Sequence, residues 1–192
     1  MSPRARPMSP QERRASLIDV TLRLLREHGR QITTRQIAEA AGIAEGTIFR
    51  VVDSKEELID AAVARAFDPG EVVARIEEID RSLPLVERLL ILVSILQQRF
   101  RATFVLMEKV GLVRPPDHDD EAHAAWRAHL ELLIVDLVAA DADRLRVGVE
   151  EFTHTLRLLT FAGSHPLIAD GRLLSPEQIV DTVLHGTLRE VR

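Results

Sequence analysis

The chain has no cysteine, which removes disulfide frameworks and thiolate chemistry, whether as nucleophile or as metal ligand. Tyrosine is also absent, and aromatics are few, with one tryptophan. A β-sandwich would draw on more Tyr, Val and Thr, so the balance favours helices. No apolar segment follows the Arg- and Pro-containing N-terminus, so no signal peptide is expected. The longest uninterrupted apolar run, Leu89 to Val93, is too short to span a bilayer. A phosphate loop, a dinucleotide fingerprint, a G-x-S-x-G elbow and an H-E-x-x-H pair are all missing. These absences leave an all-α, cytoplasmic protein with no membrane partner, cofactor, metal or catalytic residue expected. At 192 residues it can bury a good core as one large domain or two small ones.

Net charge is −5, but it is unevenly distributed. Residues 1–36 carry eight arginines (Arg4, Arg6, Arg13, Arg14, Arg23, Arg26, Arg30, Arg35) against Glu12, Asp19 and Glu27, a balance of +5 that leaves −10 for the rest. A basic end on an acidic protein is either an ordinary solvated face or the footprint of a polyanion site.

Helical signals recur along the chain. Residues 1–10 hold three prolines and little that packs, and are expected to form a disordered arm. A helix from Pro10 to Glu27 is predicted, with Ser9 as cap and Leu17, Ile18, Val20, Leu22, Leu24 and Leu25 facing a core. Ser54, with Glu57 three residues on, predicts a capping box before an apolar stripe of Leu58, Ile59, Ala62, Val63 and Ala66. Asp68-Pro69-Gly70 breaks the chain, and a short helix over Glu71–Arg81 follows. From Pro84 to Val110 only Glu87, Ser94, Arg101 and Glu108 recur as a wet stripe, which predicts a central, buried helix. Further helices are expected over about 122–140, 149–162 (ending at Gly163) and from Ser175 to about 190. No repeats or strands appear, and the expected total is about nine helices.

The stretch Thr33 to Lys55 is organised differently. Thr33 and Gln36 predict a capping box, Ile37, Ala38 and Ala41 a narrow apolar face, and Gly42 a left-handed stop. A second helix is expected from Ala44 to Val51, burying Ile43, Ile48 and Val52 and leaving Glu45, Thr47 and Arg50 outside. Two such helices joined by a glycine-containing turn make a helix-turn-helix, whose second member can enter a DNA major groove. The order T-T-x-x-I-A-x-x-A-G-I-x-x-G-T-I-F, followed by D-S-K-E-E-L, resembles the N-terminal domain of the TetR family of transcriptional regulators, from about Arg14 to Leu58. The resemblance implies residues 11–56 as the DNA-binding domain and 57–192 as a ligand-binding and dimerisation domain.

By that resemblance the expected DNA contacts are Thr33, Thr34, Arg35, Glu45, Thr47, Phe49, Arg50 and Lys55. Arg35 and Arg50 would reach base edges, while Thr34, Thr47 and Lys55 would anchor phosphates. Phe49 stands where Tyr is usual in the family, Val51 and Val52 replace a more polar or aromatic pair, and Ala44 takes the usual Ser or Thr cap. The resemblance also implies a homodimer on double-stranded DNA, with Phe152, Leu156, Leu159, Ile179, Val180, Val183, Leu184 and Leu188 as interface candidates. A small apolar or amphipathic effector would enter the C-terminal bundle, with Phe100, Phe104, Met107, Trp126, Leu130 and Leu133 as lining candidates, and would shift the helix that Ser54 caps. The carboxylates and histidines of 117–123 have no metal-site spacing, and a wet loop is expected there. The rival reading is a helical small-molecule binding or enzymatic protein with a vestigial helix-turn-helix.

Overall fold

The computed structural model describes residues 8–113 and 120–187. Helices form the described regular structure: α1 (Pro10–His28), α2 (Thr34–Ala41), α3 (Lys55–Phe67), α4 (Gly70–Glu77), α5 (Leu85–Val110), α6 (Asp120–Ala139), α7 (Val149–Ser164) and α8 (Pro176–Thr187). Three short 3-10 segments join them, over 29–31, 45–50 and 142–144. The chain divides into two compact units, one of residues 1–68 with 105–116, the other of 69–104 with 117–192. The first unit therefore runs past residue 56 and takes in the last turns of α5. Leu106 and Val110 join Leu17, Leu25, Ile37, Ile48 and Leu58 in its core, a return of the chain that no local pattern announces. Residues 1–7 of the expected arm lie outside the described residues, as does most of the polar loop near 117.

In the first unit local signals set the boundaries. Ser9 Oγ accepts from the Glu12 N–H and Glu12 returns the bond, closing a capping box at α1. Gly29 ends α1 at φ 67°, and a Cβ there would stand 2.5 Å from the Lys109 carbonyl oxygen. Only glycine fits both the backbone and the contact. Ser54 caps α3 through the Glu57 N–H, but the box is not reciprocal. Glu57 instead accepts the Asp53 N–H at 2.7 Å and an Arg14 bond at 3.0 Å.

The second unit is a bundle. α4 and α6, α6 and α7, and α7 and α8 pack pairwise around Leu89, Leu92, Leu96, Ile134, Leu137, Phe152, Leu156 and Ile179. α5 is long and apolar enough to cross a bilayer by length and composition, unlike the shorter run read from the sequence. Its Leu89, Leu92, Val93 and Leu96 are spent on this core, while the wet stripe of Glu87, Ser94 and Arg101 is exposed as expected. Burial is less complete than expected, because Val86 and Ile91 also face outward. Arg88 is buried, donating to the Leu137 carbonyl and to Asp141; Asp141 also takes Arg144 at 2.6 Å. Gly163 does not end α7. It lies inside the helix, where an added Cβ would meet Leu174 at 2.9 Å, so its role is close approach rather than a left-handed cap.

Candidate nucleic-acid interface

The site begins with the caps of α2. Thr33 Oγ1 accepts the Gln36 N–H at 3.2 Å, and Gln36 Oε1 accepts the Thr33 N–H at 2.8 Å. The Thr33 hydroxyl thus holds the start of α2. Gly42 adopts the left-handed conformation (φ 67°, ψ 33°). Its N–H reaches the Glu39 carbonyl and that of Ile43 the Ala38 carbonyl, the paired bonds of a Schellman turn. Ile37 and Ala38 anchor the helix in the core.

The reading element is not the α-helix expected over 44–51. It is a 3-10 segment, Glu45–Arg50. Ala44 offers no capping oxygen, Gly46 lies inside, and β-branched Thr47, Ile48, Val51 and Val52 resist the helical rotamer. Bonds then run three residues back, as from the Thr47 N–H to the Ala44 carbonyl at 2.8 Å and from Val51 to Ile48 at 2.9 Å. At three residues per turn, side chains at i and i+3 eclipse. Ile48 is fully buried as the anchor, while Thr47 and Arg50 share one ridge, half-buried and exposed respectively. Phe49 stands 52% exposed, so its ring is presented outward and contributes little to the core.

The cations around this element divide into tied and free. Arg14 pairs with Glu57, Arg30 with Asp60, and Arg65 with Asp19 and Asp68. Two of the arginines counted in the N-terminal segment, Arg14 and Arg30, are therefore tied to carboxylates further along the unit, while Arg65 engages Asp19 of that segment. Arg35 Nε bonds Glu39 Oε1 at 3.0 Å, four residues on. That bond, the Glu39 charge and then the Glu45 charge hold its guanidinium more firmly protonated than usual. Lys55 opens α3 in its first turn, half-buried and 3.7 Å from Glu56. Arg50 has no ion pair among the described residues. Thr34 donates its hydroxyl proton to Glu45. Glu39 is the residue that the sequence reading missed, although its i,i+4 spacing from Arg35 was a usable signal.

This geometry presents a capped first helix, a tight turn, and an outward ridge with an unpaired arginine. The family model described as "Bacterial regulatory proteins, tetR family" matches residues 17–62, the span that holds all of these parts but the α1 start. Over those residues the chain is similar to the tetR family. The HTH-type transcriptional repressor KstR2 of Rhodococcus jostii (strain RHA1) is 45% identical over 49 residues, 25% of this chain and 24% of that protein. The match thus spans about a quarter of that relative's length. Among solved structures, NalD, titled the secondary repressor of a multidrug efflux pump in Pseudomonas aeruginosa, aligns with a TM-score of 0.59 at 21% identity, covering 94% of this chain and 100% of that one. The TetR transcriptional regulator SCO0520 from Streptomyces coelicolor aligns at 0.56 and 21%, covering 93% and 99%. At such identities the likeness to these two is one of fold alone.

The remaining expected residues fall as follows. Of the lining candidates, Leu130 is buried in the second unit's core, with Phe100, Trp126 and Leu133 packed against it. Phe104 stacks on Phe100 at 6.3 Å and meets Phe161 edge-on at 5.2 Å and the His165 ring at 4.3 Å. Met107 belongs to the first unit instead. The Trp126 Nε1–H is buried without a partner among the described residues. Of the interface candidates, Phe152, Leu156, Ile179, Val180, Val183 and Leu184 are buried within the single chain, although Val183 also lines the groove between α7 and α8. Leu159 is half-buried, and Leu188 lies outside the described residues. What the α7–α8 pair does present is Leu158 and Phe161, both exposed, beside an open groove of about 530 Å³ lined by Thr155, Leu158, Leu159, Ala162, Thr182 and Gly186 among others.

Proposed function

We propose that the protein is a cytoplasmic, sequence-specific DNA-binding transcriptional repressor that sits on a near-palindromic operator as a homodimer and is released by a small apolar or amphipathic effector. The observation that carries the reading is Arg50, an exposed and unpaired guanidinium on the same ridge as Thr47 in a helix-turn-helix. A guanidinium so placed can fork onto guanine, while Thr47 and Lys55 meet phosphates. One such domain offers too little surface for genomic specificity, so two copies are needed. The exposed Leu158 and Phe161 on α7 suit that pairing. The relatives whose printed names call them repressors support the direction of control.

For the effector, the buried unsatisfied donor of Trp126 among apolar neighbours suits a molecule with one acceptor on an apolar body. Trp126 emission then reports its entry. Release requires that the effector prefer one arrangement of the protein over another.

The test is a gel shift on duplexes flanking the protein's own gene, repeated from low to high salt. The proposal expects the logarithm of the binding constant to fall linearly with the logarithm of salt, and one duplex to outlast a scrambled competitor. Binding that ignores both salt and sequence would favour the small-molecule or enzymatic reading.

A further inference from the structure

We propose that Glu45 is the specificity-determining carboxylate of the reading face: it penalises contact with DNA in general and is satisfied where a cytosine amine faces it. The inference rests on the DNA-reading function proposed above and assigns a distinct task to one residue within it. Glu45 is the first residue of the reading segment and is exposed. In helix-turn-helix docking, residues at the N-terminal end of the reading element are those that meet base edges.

The argument turns on a proton count. A threonine hydroxyl has a single O–H to donate. In the free protein Thr34 spends it on Glu45, which ties the start of α2 to the start of the reading segment. A phosphate that takes the Thr34 proton leaves the Glu45 carboxylate without its donor. An ionised carboxylate only accepts, and beside a polyanion its bare charge opposes binding. Relief requires a donor from the DNA. In the major groove cytosine presents its N4 amine, whereas adenine's N6 amine lies next to the N7 acceptor, which would repel the second carboxylate oxygen. Phosphate anchoring through Thr34 and cytosine reading through Glu45 are thereby coupled.

Arg35 completes the device. Only its Nε is engaged by Glu39, so the terminal NH2 groups stay available for a base while the side chain is held in place. Glu39 thus acts as a positioning residue. Two carboxylates on a face built to meet DNA lower its non-specific affinity, and discrimination between partners often needs such a repulsive element.

The experiment uses full-length protein and a randomised duplex pool. Wild type, Glu45→Gln, Glu45→Ala and Thr34→Val are each carried through selection, then titrated against the selected duplex and a scrambled one, with thermal melting measured alongside. Glu45→Gln keeps an amide oxygen for the Thr34 hydroxyl and removes only the charge, so its melting should match wild type. The expected result is a C·G pair at one position of each wild-type half-site that Glu45→Gln no longer prefers, a loss on the order of tenfold at that position. Binding of the scrambled duplex should tighten by roughly three- to tenfold as the repelling charge goes. If Glu45→Gln selects the wild-type sequence and binds the scrambled duplex no more tightly, while Glu45→Ala and Thr34→Val lower the melting temperature, the residue is only a clasp of the turn and the proposal fails. If wild type itself enriches no sequence, the regulator reading falls with it. An unchanged Glu45→Gln beside a selective wild type sinks this inference alone.

Discussion

Replacing Arg50 by alanine separates base reading from phosphate anchoring. The residue is exposed and without an ion pair among the described residues, so its removal breaks nothing in the folded chain. Stability should stay within about 0.5 kcal/mol of wild type, as for other surface substitutions. The consequence belongs to the complex. A forked arginine–guanine contact contributes roughly 1–3 kcal/mol of discrimination, and each 1.4 kcal/mol is about tenfold. Per half-site the preference for the cognate duplex should therefore fall by roughly 5- to 150-fold, and a two-fold operator suffers that loss twice. Lys55→Ala is the control. Lys55 is half-buried, with Glu56 3.7 Å away, and acts as a point charge at the start of α3. Its loss should weaken cognate and scrambled duplexes alike and reduce the salt slope by about 1 per protomer. Fluorescence anisotropy on both duplexes at four or more salt concentrations gives the ratio and the slope together. Should Lys55→Ala erode the cognate-to-scrambled ratio as much as Arg50→Ala does, the assignment of base reading to Arg50 is refuted.

Two glycines with the same backbone sign should differ in cost. Gly29→Ala brings both left-handed strain and a 2.5 Å clash with the Lys109 carbonyl, and should destabilise by roughly 2–4 kcal/mol in urea melts; Gly42→Ala meets no atom within 4 Å and should cost only about 1–2 kcal/mol. Asp141 should give an acid signature: burial favours its protonated form, but the bonds from Arg144 and Arg88 outweigh that and keep its carboxyl below the ordinary range. Its contribution is therefore fully present above about pH 4 and lost as pH falls through the lowered folded value. Asp141→Asn should lower the plateau stability by roughly 3 kcal/mol by leaving Arg88 buried and unpaired, and the gap from wild type should narrow below pH 4; a gap that stays constant to pH 2.5 would contradict the ion pair. Leu158→Glu should convert the dimer to monomer in size-exclusion chromatography without loss of helicity, whereas Phe152→Ala should cost about 3–5 kcal/mol of folding stability; an unchanged elution volume for Leu158→Glu would remove α7 from the interface.

The signals that read correctly from sequence were local. The caps at Ser9 and Thr33, and the left-handed stop at Gly42, each involve residues within three or four positions, where sterics and one hydrogen bond decide the outcome. The fate of 45–50 was harder, because helix type there depended on a missing cap and several β-branched residues whose penalties only sum over the whole segment. The carboxylates were harder still. Nothing in the order of residues says that Glu45, eleven positions on, returns to the Thr34 hydroxyl, since the turn at Gly42 must first fold. The extension of the first unit to 105–113 rests on Leu106 and Val110 finding a core whose other buried members, Leu17 to Ala66, lie far earlier in the chain, a contact without a local signature.

On α7 the sequence shows two apolar sides but cannot say which faces inward, because Phe152 with Leu156 and Leu158 with Phe161 are chemically equivalent offers. The structure breaks the tie in an unusual way. The inner face takes Phe152 and Leu156 but also Thr153, Thr160 and Ser164, all fully buried. Thr160 and Ser164 are accommodated by donating to carbonyls four residues back, at 2.7 and 2.6 Å. Leu158 and Phe161 meanwhile stay outside. A helix that buries hydroxyls and exposes a leucine and a phenylalanine departs locally from the usual amphipathic order, although Glu150, Glu151 and His154 keep to the outside. On the outer side the Phe161 ring still packs edge-on against Phe100 and Phe104, so Leu158, 56% exposed, is the apolar side chain most fully left to solvent. A second copy related by a two-fold axis would place the same Leu158 and Phe161 patch on both sides, so self-complementarity needs no further partner.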